Sequence, residues 1–354
     1  MSKTTVAVLF GGRSTEHEVS IMSAMNVISS IPPEKYYVLP IYITRDGRWL
    51  LYEGAAENIR GASLEKIGVN CIVSPDLSHG GLLRIVGGKA RPVGADVVFP
   101  VLHGKNGEDG TVQGLCELAG IPVVGCGALS SAVSMDKAFT NLIAKASGIA
   151  HTPYVVAHRN EMGDTAGILR RTRKLGYPCF VKPANAGSSV GVSKAGGKRE
   201  LIAALEKAFE HDRKAIIEKA VAGRELECAV LGGDEPSASP VGEVISAAEF
   251  YDYDAKYHND ESRAIVPADI PEDKAEEIRA AALAVFAAVD GSGMARADFF
   301  LEEGTGRVLF NEINTIPGFT AVSLYPALWR EAGITREELC DRLIGIALER
   351  GRRD

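Results

Sequence analysis

The apolar run Val6 to Phe10 ends at the pair Gly11-Gly12, and the hydrophobic pattern then changes period. A continuous apolar run of this length closed by glycines predicts a strand buried on both faces. Val19, Met22, Met25 and Val27 recur at roughly helical spacing behind Thr15 and Glu18, which predicts a helix opened by a capping box. Tyr37 to Ile43 and Asp96 to Val101 repeat the strand signal. The crossovers between them predict a mostly parallel sheet with helices on its faces. This first α/β unit ends near Val124-Gly125-Cys126-Gly127.

A helical pattern from Ser130 to Ser147, closed by Gly148, opens a second unit. Short strands follow at Tyr154-Val155-Val156 and at Cys179 to Lys182, with helices predicted over Thr165 to Leu175 and Arg199 to His211. A third unit starts around Ala215-Ile216-Ile217-Glu218 and carries strands near Leu226 to Leu231 and Val241 to Ile245. A helix at Glu272 to Val289 precedes a strand pair, and Thr335 with Glu338 caps a final helix. The expected domains are therefore 1–126, 127–214 and 215–354, in a mixed α/β and α+β architecture.

A length of 354 residues exceeds one ordinary core and agrees with several units. With 39 Lys and Arg against 46 Asp and Glu, the net charge of −7 is not that of a non-specific nucleic-acid binder or a protein drawn to anionic membranes. A hydrophobic share of 46% excludes disorder. Cysteines 71, 116, 126, 179, 228 and 340 are scattered without a C-x-x-C pair, so neither a disulfide scaffold nor a zinc ribbon is expected, and a reducing cytoplasm fits. Val6 to Phe10 is too short for a signal peptide's apolar region, and Ala280 to Val289 falls short of the roughly 20 residues of a membrane span.

Neither G-x-x-x-x-G-K-[ST] nor a G-x-G-x-x-G after a strand occurs. The Gly11-Gly12 turn either approaches a ligand or only allows a tight strand-to-helix connection. Glu16 at the helix start would repel phosphate and attract an amine, so any ligand of this turn carries an ammonium group. In Val181 to Val192 a strand delivers Lys182, and the small residues that follow can wrap an anion with oriented amides or form a simple flexible hairpin. His103-Gly104-Lys105-Asn106-Gly107-Glu108-Asp109-Gly110 leaves a buried-type strand, where α/β sheets place ligands. His103 could touch substrate there or serve only the turn. Tyr251 to His258 gathers aromatics and Lys256 in a loop that either shapes a pocket or lies on the surface.

Met294 to Asn314 carries the sharpest chemistry. Arg296 and Asp298 share one face of a strand, and Phe310, Glu312 and Asn314 share one face of the next. The turn Glu303-Gly304-Thr305-Gly306 pairs Glu302 with Arg307, and extending that register sets Asp298 opposite Asn311, one residue from Glu312. Two carboxylates and an amide oxygen form a hard-oxygen set suited to Mg²⁺ completed by phosphate. The competing reading is a polar face that Arg296 neutralises.

Taken in order, these segments closely resemble the D-alanine–D-alanine ligase family of the ATP-grasp superfamily. The resemblance runs from Gly11-Gly12-Arg13-Ser14-Thr15-Glu16-His17-Glu18-Val19-Ser20 through Ser134-Met135-Asp136-Lys137, the Lys182 to Gly191 flap and Tyr251 to Tyr257 to Asn311-Glu312-Ile313-Asn314-Thr315-Ile316-Pro317-Gly318-Phe319-Thr320. It implies a three-domain ATP-grasp architecture whose N-terminal domain is a Rossmann-like parallel sheet. ATP would be held between the central and C-terminal domains. By this resemblance Lys137 and Lys182 contact nucleotide phosphates beneath a flap carrying Ser188 and Ser189. Glu218, Lys219 and Val221 line the adenine pocket, Glu225 reaches the ribose, and Lys256 meets the transferred phosphoryl group. Asp298, Glu312 and Asn314 match ligands of two Mg²⁺ ions, for which Mn²⁺ can substitute, with Asn311 beside the nucleotide. Glu16 binds the first substrate's ammonium, His103 contacts that substrate, Arg296 stabilises the oxyanion and Ser323 holds the second carboxylate.

The implied activity is ATP-dependent joining of two D-alanine molecules through an acylphosphate, supplying a peptidoglycan precursor, in a homodimer with no nucleic-acid or membrane partner. Tyr257 matches dipeptide-forming members rather than those forming a D-alanyl–D-lactate ester. The alternatives are an ATP-grasp ligase with another acceptor, such as D-lactate, and a non-catalytic nucleotide-binding protein.

Overall fold

The computed structural model describes residues 3–54, 59, 63–187, 189–245 and 263–353. The first sheet contains β1 (Thr4–Gly11), β2 (Tyr36–Ile43), β3 (Trp49–Leu51), β4 (Val69–Val73), β5 (Leu82–Val86), β6 (Lys89–Pro92) and β7 (Val97–Val101) in the order β6-β5-β4-β3-β2-β1-β7. Strand β1 runs parallel to both β2 and β7, and Val6 to Phe10 are buried as the continuous apolar run requires. Beyond β7 a single parallel bridge joins Val98 to Val123, and no other two strands among the described residues pair in parallel. Strands β3 to β6 extend the sheet antiparallel, so the sheet is mixed rather than mostly parallel.

Helix α1 (His17–Ser30) packs Ala24, Val27 and Ile28 against one face of this sheet. It opens without the expected capping box. Glu16 occupies the N-cap position with no side-chain cap, and Glu18 pairs with Arg45 at 2.7 Å. A single turn, α2 (Leu64–Ile67), precedes β4, and α3 (Thr111–Leu118) covers the other face through Val112 and Cys116.

The helix expected over Ser130 to Ser147 is two, α4 (Ala128–Met135) and α5 (Lys137–Ala146). Asp136 breaks the run. Its carboxylate accepts the N–H groups of Ala138 and Phe139 at 3.1 and 3.2 Å, pairs with Lys214, and so starts a fresh helix at Lys137.

The second sheet, all antiparallel, orders β8 (Tyr154–His158), β9 (Cys179–Pro183), β10 (Ser193–Ala195) and β11 (Lys214–Lys219) as β10-β9-β11-β8. Helices α6 (Thr165–Thr172) and α7 (Lys198–His211) bury Ile168, Leu201, Leu205 and Phe209 in its core. Because β11 pairs with β8 and β9, we propose that the boundary between the second and third units falls at 220–222, after this strand, rather than at 215.

The third sheet, also antiparallel, orders β12 (Gly223–Gly232), β13 (Ser237–Ile245), β14 (Arg263–Ile265), β15 (Gly293–Glu302) and β16 (Val308–Asn314) as β14-β13-β12-β15-β16. Helix α8 (Glu272–Ala288) packs Ile278, Val285 and Phe286 on it, sharing a core with Ala144 of α5. Helices α9 (Leu324–Glu331) and α10 (Arg336–Arg350) follow, and Thr335 caps α10 by accepting the Glu338 N–H at 3.2 Å. Leu339, Leu343 and Ile344 of α10 share a core with Val6, Val8 and Phe99, so the third unit covers one face of the first sheet. Each fully buried side chain of this size contributes about 1.5–3 kcal/mol. Arg350 adds donors to the Val123 and Gly125 carbonyls, tying the last helix to the end of the first unit. Among the described residues no helix is long and apolar enough to cross a membrane.

Candidate active site

The three units meet around a cavity of about 430 Å³ whose walls include Glu16 and His103 from the first, Lys182 and Glu218 from the second sheet, and Arg296, Asp298 and Glu312 from the third. Its floor is the β15–β16 pair. Near the turn the register is the one expected, with Leu301 opposite Val308 and Phe299 opposite Phe310. Between Asp298 and Phe299 the register slips by one residue, so Asp298 faces Glu312 directly and Ala297 faces Ile313. Asn311 is the extra residue of this bulge. Bulges re-aim side chains, and here two consequences follow. Phe310 turns to the core, where it meets Phe299 at 5.9 Å between ring centroids, and does not share the face of Glu312 and Asn314 as the uninterrupted alternation implied. Asn311 turns to Lys182, whose Nζ donates to its Oδ1 at 3.3 Å.

Cations already sit on the acids. Arg296 donates from Nε and Nη2 to the two oxygens of Asp298 at 2.8 and 2.7 Å, and Asn314 Nδ2 donates to Asp298 Oδ2 at 3.1 Å. Lys137 Nζ lies 3.1 Å from Glu312 Oε2 and donates to the Ala186 carbonyl at 3.1 Å. The cations show that this acidic face demands positive charge, which a divalent ion would also supply. Among the described residues no three His, Cys, Asp or Glu side chains cluster as a metal cage. Two carboxylates with one amide instead suit an ion that keeps waters and phosphate oxygens as its other ligands. The donor set therefore fits Mg²⁺ or Mn²⁺.

At the opposite wall Lys182 Nζ pairs with Glu218 Oε2 at 2.7 Å. Burial alone would pull the Lys182 ammonium down in pKa, but the charges of Glu218 and Glu312 outweigh it and raise it. Lys219, Val221, Glu225 and Ser189 also line the cavity, with Lys219 reaching Glu302 at 3.6 Å. Ser188, Lys256 and Tyr257 lie outside the described residues.

Glu16 is buried at the start of α1, and its carboxylate is wedged between two glycines. A Cβ on Gly104 would stand 2.9 Å from Glu16 Oε2, and one on Gly187 would stand 3.0 Å from it. The loop after β7 and the loop after β9 thus both approach the same oxygen of this carboxylate closely. His103, also buried, meets Ser23 Oγ through Nε2 at 3.2 Å. Gly11 serves the fold: a Cβ there would lie 2.3 Å from the Ile43 carbonyl oxygen, which favours the tight-turn reading. Ser323 does not line the cavity. Its hydroxyl accepts the Thr320 N–H at 2.9 Å and sits behind Gly318, which does.

Two acids escaped the sequence reading. Glu227 on β12 stands in register with Asp298 and lies 2.9 Å from Arg296 Nε. Only pairing between strands some seventy residues apart reveals it. Glu108 belongs to the noted His103 to Gly110 segment, in which only His103 stood out. It accepts the Gly104 N–H at 2.6 Å, and burial, then the charge of Glu16, pushes its carboxyl up to about 8. A folded-state value raised this far means stability is fully present below the usual carboxylate range and falls as pH rises through about 8. Glu108→Gln keeps the acceptor and removes the charge. We expect it to melt about 2–4 °C above the parent at pH 9 and with little difference at pH 5, measured by calorimetry.

Lys137 and Lys182 face the acidic β15–β16 ribbon in a cavity that Glu16 also lines, an arrangement in keeping with an ATP-grasp carboxylate–amine ligase. The family models described as "D-ala D-ala ligase N-terminus" and "D-ala D-ala ligase C-terminus" match residues 5–126 and 143–345. The chain therefore belongs to the D-alanine–D-alanine ligase family. It is 49% identical to the D-alanine--D-alanine ligase of Caldicellulosiruptor bescii over 99% of this chain and 97% of that one. It is also 49% identical to that of Acetivibrio thermocellus over 98% and 96%. Among solved structures it resembles the VanG D-Ala:D-Ser ligase of Enterococcus faecalis (TM-score 0.89, 42% identity, covering 98% of this chain and 100% of that one). It also resembles the D-alanine-D-alanine ligase of Coxiella burnetii (TM-score 0.89, 34% identity, covering 100% and 96%).

Proposed function

We propose that this enzyme joins two D-alanine molecules into D-alanyl-D-alanine at the expense of ATP, releasing ADP and phosphate, for peptidoglycan precursor synthesis in the cytoplasm. The observation that carries the reading is the convergence of Lys137, Lys182, Arg296, Asp298 and Glu312 on one cavity that also holds Glu16.

A carboxylate is a poor electrophile, so the first D-alanine must be activated. One of its carboxylate oxygens attacks the terminal phosphorus of ATP, ADP leaves, and an acylphosphate results. Lys137 and Lys182 neutralise the phosphate oxygens, and catalysis at this step is chiefly positioning and electrostatics. Asp298, Glu312 and Asn314 would hold the divalent ions. When bound, those ions offset charge on the phosphates. Glu218, Lys219 and Val221 face the adenine, Glu225 the ribose, and Asn311 holds Lys182 in place. Glu16 anchors the first ammonium, with His103 alongside.

The ammonium of the second D-alanine gives a proton to water, the free amine attacks the acyl carbon, and the attacking nitrogen sheds its second proton to the departing phosphate. The carbonyl oxygen becomes an oxyanion, which Arg296 stabilises, and phosphate departs as the carbonyl re-forms. Ser323 helps orient the second carboxylate through the Gly318 loop, while Ser188, Lys256 and Tyr257 act as the family resemblance implies. The same resemblance suggests a homodimer, which sedimentation of the purified enzyme tests.

One structural relative is titled a D-Ala:D-Ser ligase, so the acceptor is the part of the reading to test. With ATP, Mg²⁺, D-alanine, D-serine and D-lactate supplied together at neutral pH, mass spectrometry should find D-alanyl-D-alanine as the main product. A predominant D-alanyl-D-serine or ester would reassign the acceptor. Tight ATP binding without phosphate release from any D-amino acid would instead mark a non-catalytic protein.

A further inference from the structure

Arg296 lies between two carboxylates on different strands. In the antiparallel β12–β15 pair Glu227 is directly opposite Asp298, and the Arg296 side chain, on the same face, reaches both. Its Nε is 2.8 Å from Asp298 Oδ1 and 2.9 Å from Glu227 Oε2, and its Nη2 is 2.7 Å from Asp298 Oδ2. All three side chains are nearly buried, at 12% exposed for Arg296, 12% for Asp298 and 8% for Glu227. The strand order divides their neighbours. Glu312 and Asn314 flank β15 from β16, whereas Glu227 flanks it from β12.

Both oxygens of Asp298 are committed to the Arg296 fork, yet Asp298 is also the donor that β15 offers to a divalent ion. The same oxygens cannot keep a bidentate guanidinium pair and turn fully to a metal. A buried guanidinium cannot shed its charge either, so it needs a second fixed anion. We propose that Glu227 is a positioning residue, the counter-ion that keeps the Arg296 guanidinium at the reacting carbonyl while Asp298 serves the metal. This inference rests on the role of Arg296 given above. Glu227 lies on the side of Asp298 away from Glu312, so it acts through Arg296 and not as a further ligand.

The test is a double-mutant cycle on the full-length enzyme, with Glu227→Gln, Glu227→Asp, Arg296→Ala and the pair Glu227→Gln with Arg296→Ala. Arg296→Ala should lower kcat about a hundredfold, as loss of an oxyanion donor does. Glu227→Gln should lower kcat about tenfold to thirtyfold with the ATP KM within about twofold, and Glu227→Asp, which restores the charge, should recover most of that loss. In the Arg296→Ala background Glu227→Gln should change kcat by less than about twofold, because residues acting as one unit are not additive. Binding of Mn²⁺ with ADP, read by electron paramagnetic resonance without turnover, should be the same in Arg296→Ala and the double variant.

Wild-type kcat in Glu227→Gln, or full additivity with Arg296→Ala, overturns the inference. A drop in Mn²⁺ affinity on adding Glu227→Gln to Arg296→Ala makes Glu227 a metal ligand and also overturns it. If Arg296→Ala itself keeps its kcat, the role of Arg296 fails first. If Glu227→Gln does not fold, Glu227→Asp decides through its KM-against-kcat split, with equal loss in both parameters counting against positioning.

Discussion

Asp298→Ala should lower kcat at least about a thousandfold, corresponding to about 4 kcal/mol of transition-state stabilisation, and Glu312→Ala should do the same. The two oxygen donors lie opposite each other only because of the bulge at Asn311, and neither has a carboxylate neighbour on its own strand to replace it. The fold should survive both changes. In Asp298→Ala the Arg296 guanidinium retains Glu227, and in Glu312→Ala the Lys137 ammonium retains the Ala186 carbonyl. Melting temperatures near that of the parent, together with weakened Mn²⁺ binding in both variants, would assign the loss to the metal site. Full turnover in either variant would remove the metal assignment, leaving the β15–β16 acids as a neutralised polar face.

Much of this site was legible from the chain. The strand β1 was readable because a run buried on both faces needs no partner to be recognised. Alternation put Arg296 and Asp298 on one face, and their hydrogen bonds agree. The turn after Glu302 set the register correctly at its own end. Register extrapolated from a turn is only as good as the strand's regularity, and nothing in Phe310-Asn311-Glu312 announces an extra residue. The bulge therefore moved Asp298 onto Glu312 and sent Phe310 to the core, both beyond local reading.

The break at Asp136 was missed for a related reason. A capping aspartate inside a continuous helical pattern looks like one more polar face position, although it decides where Lys137 points. Strands β3 to β6 were not anticipated because β3 has three residues, β4 and β5 are only partly buried, and β6 is exposed along its whole length, so hydrophobic pattern carries little of their signal. Long-range pairing alone brings Glu227 to Arg296. The resemblance to the family supplied expectations that local rules could not, above all the proposed roles of Lys137, Glu218 and Glu225.

Lys182→Met should lower kcat/KM for ATP by about a thousandfold, and its effect on stability separates two roles of one side chain. The Lys182 ammonium joins the Glu218 carboxylate on its own sheet to Asn311 on the third, at 2.7 and 3.3 Å, so it bridges two units across the cavity. The Glu218 side chain is 4% exposed, and loss of its partner strands a buried charge, which costs about 3–5 kcal/mol. The single variant should therefore melt well below the parent. Adding Glu218→Gln removes the stranded charge and should recover most of the melting temperature, while turnover stays low because Lys137 alone is left to meet the phosphates. The expected raised pKa of Lys182 gives a further check: the ammonium stays charged throughout the working range, so the parent should show no loss of ATP affinity from this residue as pH rises from 7 to 9. Recovery of turnover along with stability in the double variant would make Lys182 a structural bridge and leave Lys137 as the phosphate-binding cation.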